Sequence, residues 1–87
     1  MSLIQNIIIN ESIEDALLYF APTNSYPGID RMYVKYKFQA IESGELLATY
    51  KRLLAEGKLT KDAGGKTIKG PKWKEPAFIK QKKYTVA

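Results

Sequence analysis

Residues 43–68 constrain the fold more than any other stretch, because a helical pattern there runs directly into a hairpin pattern. From Ser43 to Glu56 the large apolar residues recur with the spacing of one helix face, at Leu46, Leu47, Tyr50, Leu53 and Leu54. Ser43 is the expected N-cap, and Gly57 supplies the left-handed residue that commonly ends a helix. The sequence therefore predicts a helix over 43–56 whose apolar stripe is the main contributor to the core.

A hairpin is expected immediately after this helix. Asp62-Ala63-Gly64-Gly65 has the composition of a turn, and the residues on either side, over Leu59 to Ile68, suit short strands. Gly64-Gly65-Lys66-Thr67 also matches the end of a phosphate-binding loop. The full loop needs a glycine where Thr60 stands and a helix after Thr67, so we interpret the stretch as a hairpin.

Before the helix at 43–56, the pattern indicates a short strand and a helix. Leu3 to Ile9 is rich in β-branched isoleucine, which favours a strand. Ser12 followed by Asp15 resembles a capping box, and a helix over 12–21 would share one apolar face, made of Ile13, Ala16, Leu17 and Phe20. Pro22 would end that helix, and residues 22–28 read as a loop.

Residues 29–41 fit two patterns. Met32, Val34, Tyr36 and Phe38 alternate with polar or aromatic residues, as in a strand. Alternatively, Asp30 caps a helix whose apolar face holds Met32, Tyr33, Tyr36 and Ala40. We adopt the helix, because the path into the next helix is short.

The segment after the hairpin is expected to be extended. Gly70-Pro71 interrupts the hairpin, and residues 72–76 read as a loop fixed by prolines. Residues 77–86 are predicted as a last strand, with Phe78, Ile79, Tyr84 and Val86 as its apolar members.

Length and composition favour one small domain without catalysis. The chain has 87 residues, which suits a single domain over 1–87. It contains no cysteine and no histidine, so disulfides, thiolate chemistry and the commonest general base are excluded. The carboxylates show no spacing that suggests a metal site, and we expect no cofactor. With no apolar run long enough to span a membrane and no signal-peptide pattern, we expect a cytoplasmic protein.

The charge is unevenly distributed along the chain. Residues 1–57 hold five basic and seven acidic residues, whereas residues 58–87 hold nine lysines and two acids. This basic C-terminal third suggests phosphate or an acidic protein surface as the partner. A solvated lysine-rich face without a function is the plainer alternative.

The order helix, helix, amphipathic helix, glycine and Gly-tipped hairpin resembles a winged helix-turn-helix domain. The stretch Thr49-Tyr50-Lys51-Arg52-Leu53-Leu54-Ala55-Glu56-Gly57-Lys58-Leu59 is similar to the end of the recognition helix in that superfamily. The resemblance covers about residues 12–70. It implies an α+β, winged-helix-like fold: a three-helix core with a C-terminal hairpin as the wing, to which we add the short N-terminal strand.

A second, fainter resemblance lies in the tail. Lys69-Gly70-Pro71-Lys72-Trp73-Lys74-Glu75-Pro76-Ala77-Phe78, ending in Lys82-Lys83-Tyr84, looks like small bacterial immunity proteins encoded beside toxins. That resemblance implies a protein partner, which for a basic inhibitor would need an acidic docking surface.

Two functions follow from these resemblances. A DNA-binding regulator would use the recognition helix, but Glu42 and Glu45 at its start would face a polyanion, so lysines of the wing would have to contact phosphate. A protein-binding immunity or antitoxin role is favoured. The expected partner contacts are the same in both cases: Arg52, Lys66, Lys69, Lys72, Trp73 and Lys74. Trp73 could instead close the core over the helix at 43–56.

Overall fold

A computed structural model describes residues 3–84 of the chain. Within that range it contains helices and one two-stranded antiparallel sheet, which confirms the mixed α+β class. The elements in chain order are α1 (Leu3–Asn10), α2 (Ile13–Phe20), α3 (Tyr26–Tyr36), α4 (Gln39–Glu42), α5 (Glu45–Glu56), β1 (Leu59–Lys61), β2 (Thr67–Lys69) and α6 (Ala77–Lys80).

Helix α5 confirms the predicted element at 43–56, with a different N-terminus. Its N-cap is Gly44, at φ 77°, and the Ser43 hydroxyl accepts a hydrogen bond from the Glu45 amide at 3.3 Å. Gly57 ends the helix at φ 81°, in the left-handed conformation expected of it. The predicted stripe is buried except for Leu54, which is partly buried, and Leu47, which is 44% exposed.

The hairpin is confirmed, with the turn where the sequence placed it. Thr60 lies opposite Ile68, and the Asp62 carboxylate accepts hydrogen bonds at 2.9 Å from the amides of Gly64 and Lys66. Because Thr67 begins strand β2, at the position where a phosphate-binding loop would lead into a helix, the phosphate-loop alternative is wrong.

One side-chain contact joins the hairpin to α5, and two backbone hydrogen bonds join the end of the hairpin to the residues that follow α5. A buried hydrogen bond of 2.6 Å joins the hydroxyls of Tyr50 and Thr67. At the base of the hairpin, Gly70 donates its amide to the Lys58 carbonyl, and Lys72 donates its amide to the Gly57 carbonyl. These contacts set the direction in which the chain leaves the hairpin.

The predicted N-terminal strand is wrong, because residues 3–10 form α1. Ile7 and Ile8 are fully buried there, and α1 packs against α3 and α2. Ile4, Ile7 and Ile8 also have helical spacing, and burial in the core outweighs the modest preference of isoleucine for strands.

Helix α2 is confirmed, and α3 begins earlier than predicted. Ser12 caps α2 by accepting a hydrogen bond from the Asp15 amide at 3.1 Å. The helix alternative for 29–41 is correct over residues 29–36, but the helix ends at Tyr36, and α4 begins only after a break at Lys37 and Phe38. Ser25 rather than Asp30 is the cap of α3. Pro27 stands in the first turn of α3, where proline is well tolerated, so only the first part of the predicted loop over 22–28 is a loop.

The predicted last strand is also wrong over the described residues. Ala77–Lys80 form α6, a single helical turn after Pro76, and residues 81–84 continue as a turn. Strands β1 and β2 pair with each other, and no third strand joins them within residues 3–84. Phe78 is buried between the rings of Tyr19 and Tyr84, with centroids 5.6 Å away in each case. Val86 lies outside the described residues.

The core forms between α1 and α3 on one side and α2 and α5 on the other. Its largest fully buried side chains come from four helices and the first strand: Ile7, Ile8, Leu17, Ile29, Tyr33, Leu46, Leu53 and Leu59. No helix in residues 3–84 is long and apolar enough to cross a membrane.

Candidate protein-interaction surface

Trp73 is held on the surface of α2 by its polar edge. Its indole N–H donates a hydrogen bond of 2.8 Å to the Leu18 carbonyl, and the ring is partly buried. The Lys69 ammonium lies 4.1 Å from the centre of the ring, close enough for a cation–π interaction. Trp73 is therefore anchored to α2, while part of its ring remains accessible to a partner.

A surface groove of about 260 Å³ lies beside Trp73. Its walls come from the end of α2, the hairpin, the segment before α6 and α6 itself. The lining residues are Tyr19, Pro22, Thr23, Lys69, Trp73, Glu75, Pro76 and Ile79. We call this depression the Trp73 groove. It combines an apolar floor with one cation and one carboxylate.

The predicted contact residues divide between two regions. Lys69 and Trp73 meet at the groove, and Lys72 and Lys74 are exposed on either side of Trp73 in the chain. Lys66 instead lines a separate cleft between the hairpin turn and the start of α3, near Tyr26 and Pro27. The structure therefore brings Lys69 and Trp73 together and places Lys66 elsewhere.

Arg52 belongs to an ion-pair cluster on α5 and lines neither cavity. Its guanidinium contacts Glu14 at 2.5 Å and Glu56 at 3.1 Å, and Lys58 lies 3.3 Å from Glu14 and 3.4 Å from Glu56. The hydrogen bond from Arg52 is the main cause that lowers the pKa of Glu14. Two carboxylates thus largely neutralise Arg52, which leaves it little free charge for a partner.

The exposed start of α5 carries negative charge. Glu42, Ser43 and Glu45 are exposed, and Ala48 and Thr49 add no cation. With Arg52 engaged, Lys51 is the one cation of α5 without an ion pair among the described residues. This face offers little attraction to a phosphate backbone.

Several residues of the groove were not identified from the sequence. Ile79 was expected only as an apolar member of the last strand, and Pro22 and Pro76 as residues that interrupt structure. A weak signal was present, since Trp73 lies between lysines in a segment that ends at Pro76. The contact of this segment with α2 spans 55 positions of the chain and leaves no local pattern.

A second contact missed by the sequence holds the end of the described chain. The carboxylate of Glu11 accepts hydrogen bonds from the Tyr84 hydroxyl and, at 2.7 Å, from the Lys83 ammonium. Burial raises the pKa of Glu11, but the two hydrogen bonds and the charge of Lys83 together outweigh burial and lower it. The contact joins the segment after α6 to the junction of α1 and α2.

Comparisons with known protein families, with curated proteins and with solved structures give no match for this chain. The site is therefore defined by its own geometry. Among residues 3–84, no group of three potential ligand side chains stands close enough to hold a metal ion.

Proposed function

We propose that this chain is a non-enzymatic protein-binding module of the immunity or antitoxin kind, which binds and neutralises a cognate toxin. The observation that supports the proposal most directly is the Trp73 groove, an apolar depression next to exposed lysines. Tryptophan is a frequent anchor of protein interfaces, and exposed lysines around it can steer an acidic partner toward the groove. The resemblance of the tail to immunity proteins points the same way.

The charges of α5 favour a protein partner over DNA. A recognition helix inserts its N-terminal residues into the major groove, where phosphates lie close on both sides. Here Glu42 and Glu45 are exposed at that end, and Glu14 and Glu56 hold Arg52. Repulsion from phosphate would reduce the affinity of this helix for duplex DNA.

The proposal includes a winged-helix-like arrangement of α2, α3, α5 and the β1–β2 hairpin. The order of these elements supports it, with α1 as an addition at the N-terminus and α4 between the second and third helices. A cytoplasmic location is also part of the proposal, because a chain without cysteine suits a reducing compartment.

Duplex DNA binding through the hairpin is the second candidate function. Lys61 and Lys66 are exposed near the hairpin turn and form no ion pair within the described residues. Contacts of this kind would bind phosphate without reading sequence.

Two measurements test the proposal together. In the first, the protein encoded next to this chain is expressed in cells, either alone or together with this chain. We expect growth arrest that wild-type protein relieves, that Lys69→Glu fails to relieve, and that Lys51→Glu on α5 still relieves. The matched control separates loss of the groove's charge from a general effect of charge reversal.

The second measurement is a titration of the purified chain with duplex DNA of mixed sequence. We expect no nanomolar binding even at about 50 mM salt, where phosphate contacts are strong. Nanomolar binding with a steep salt dependence, abolished by Lys61→Glu and Lys66→Glu, would establish the DNA-binding function in place of the protein-binding one.

A further inference from the structure

We infer that the Trp73 groove docks an extended acidic segment of the partner, in which one aromatic or branched aliphatic side chain is flanked by carboxylates. The inference rests on the proposed protein-binding function and adds the chemistry of the ligand. It follows from the shape of the groove, the rigidity of its walls and the charges around it.

The floor of the groove is apolar and rigid before any partner arrives. The Trp73 ring is fixed at one edge by its hydrogen bond to Leu18 and on one face by Lys69. Tyr19 packs edge-on against Phe20 and Phe78, with centroids 4.9 and 5.6 Å apart. The two prolines in the wall have fixed φ angles. A preformed surface loses little conformational entropy on binding, which favours affinity.

The size of the groove suits one inserted side chain. Its volume of about 260 Å³ is below the roughly 300–1,000 Å³ typical of pockets that enclose a small-molecule ligand. An open depression of this size can accept a single ring or branched side chain, while the flanking backbone of the partner runs along the surface. This is the usual form of an interface anchor.

The surrounding charges select carboxylates on the partner. Residues 69–80 contain four lysines, Lys69, Lys72, Lys74 and Lys80, and one acid, Glu75. All four lysines are exposed, and none forms an ion pair within the described part of the chain. Because Glu75 also lines the groove, the partner's carboxylates are expected to lie toward Lys69 and away from Glu75.

Three synthetic pentapeptides test this chemistry, each with capped ends. The first places phenylalanine between pairs of Asp and Glu, the second keeps the acids but replaces phenylalanine by serine, and the third keeps phenylalanine between pairs of lysines. Each peptide is titrated into the isotopically labelled full chain. Binding is monitored by amide chemical shifts and by the fluorescence of Trp73, the sole tryptophan.

We expect the acidic phenylalanine peptide to shift the indole N–H of Trp73 and the amides of Tyr19, Lys69 and Ile79. The other two peptides should bind at least about tenfold more weakly, since each lacks one of the two features that the groove recognises. Lys69→Glu should weaken binding of the first peptide at least about fivefold, and Lys51→Glu should leave it unchanged.

Each contrary result has a distinct meaning. Equal binding of the lysine-flanked peptide overturns the selection for acid. Shifts of the acidic peptide confined to the hairpin turn or to α5 overturn the groove as its site, while a protein-binding function stands. No response to any peptide at millimolar concentration overturns the inference. If duplex DNA alone binds, with nanomolar affinity, both the inference and the proposed function fail.

Discussion

Gly70 occupies a position that no other residue fits without a shift of the backbone. A Cβ atom there would lie 2.2 Å from the Gly57 carbonyl oxygen and 3.0 Å from the carbonyl carbon of Leu59. Both neighbours are backbone atoms, one at the end of α5 and one in β1, and cannot rotate away as a side chain could. We predict that Gly70→Ala lowers the free energy of unfolding by about 1–3 kcal/mol, as overpacking does elsewhere. Urea unfolding followed by circular dichroism measures the loss.

Gly28→Ala is the matched control for this substitution. Gly28 lies in the first turn of α3, where an added Cβ meets only the Ser25 hydroxyl oxygen, at 3.4 Å. Alanine there should be neutral or stabilise the protein by up to about 1 kcal/mol, because it restricts the unfolded chain and favours helix. Equal losses in the two variants would show that the close approach at Gly70 is not the cause.

The glycines also show which residue roles can be predicted from sequence. Gly57 follows an apolar helical stripe, so its left-handed conformation could be predicted from local pattern and is confirmed. The role of Gly70 depends on the backbone of a residue 13 positions earlier, which no local pattern reports. Trp73 is similar, since its contact with the Leu18 carbonyl depends on how the tail crosses α2.

Among the elements, those with a strong periodic pattern and a clear end were predicted correctly, and short apolar runs were not. Helix α5 has three apolar turns, and the hairpin has a glycine turn, so each is specified locally. Residues 3–10 and 77–80 are short apolar runs in which the core decides the conformation. Helix and strand cannot be distinguished by periodicity over so few residues.

The segment after α6 is tied to α1 and α2 through a carboxylate, so its stability should depend on pH. The folded state lowers the pKa of Glu11 below its ordinary value of 4.5. A lowered pKa contributes stability that is present above the unfolded value and is lost as pH falls through the folded value. We predict that wild type is more stable than Glu11→Gln near pH 6, and that this difference shrinks progressively below about pH 4.5.

Thermal unfolding at pH 6, 5, 4 and 3 measures this difference, and Glu75→Gln is the control. Glu75 is exposed and forms no ion pair within residues 3–84, so its variant should follow the wild-type curve. The pKa of Asp15 is shifted in the opposite direction to that of Glu11, because burial and the neighbouring charges of Glu14 and Glu11 raise it. A difference between wild type and Glu11→Gln that stayed constant down to pH 3 would contradict the role of the Glu11 carboxylate.

On the scale of the whole molecule, ion pairing divides the charged residues into two groups. The acidic residues of the first 57 positions include Glu14 and Glu56, which engage Arg52 and Lys58 within the fold. The lysines of residues 69–80 have no such partners among the described residues. The position of the basic segment was predicted from sequence, but its attachment to α2 beside an apolar groove was not.

The tail and the helical core are expected to unfold as one unit, as the single domain predicted over 1–87 requires. Phe78 is 2% exposed and packs against Tyr19 and Tyr84, so the tail contributes directly to the core. Phe78→Leu should lower the free energy of unfolding by about 1–3 kcal/mol. Each kcal/mol lost should lower the melting temperature by about 4–8 °C. Trp73 fluorescence reports the tail and far-ultraviolet circular dichroism reports the helices; their transitions should coincide in wild type and shift together in the variant. An earlier fluorescence transition would show that the tail detaches from an intact core, and it would exclude a preformed Trp73 groove at that temperature.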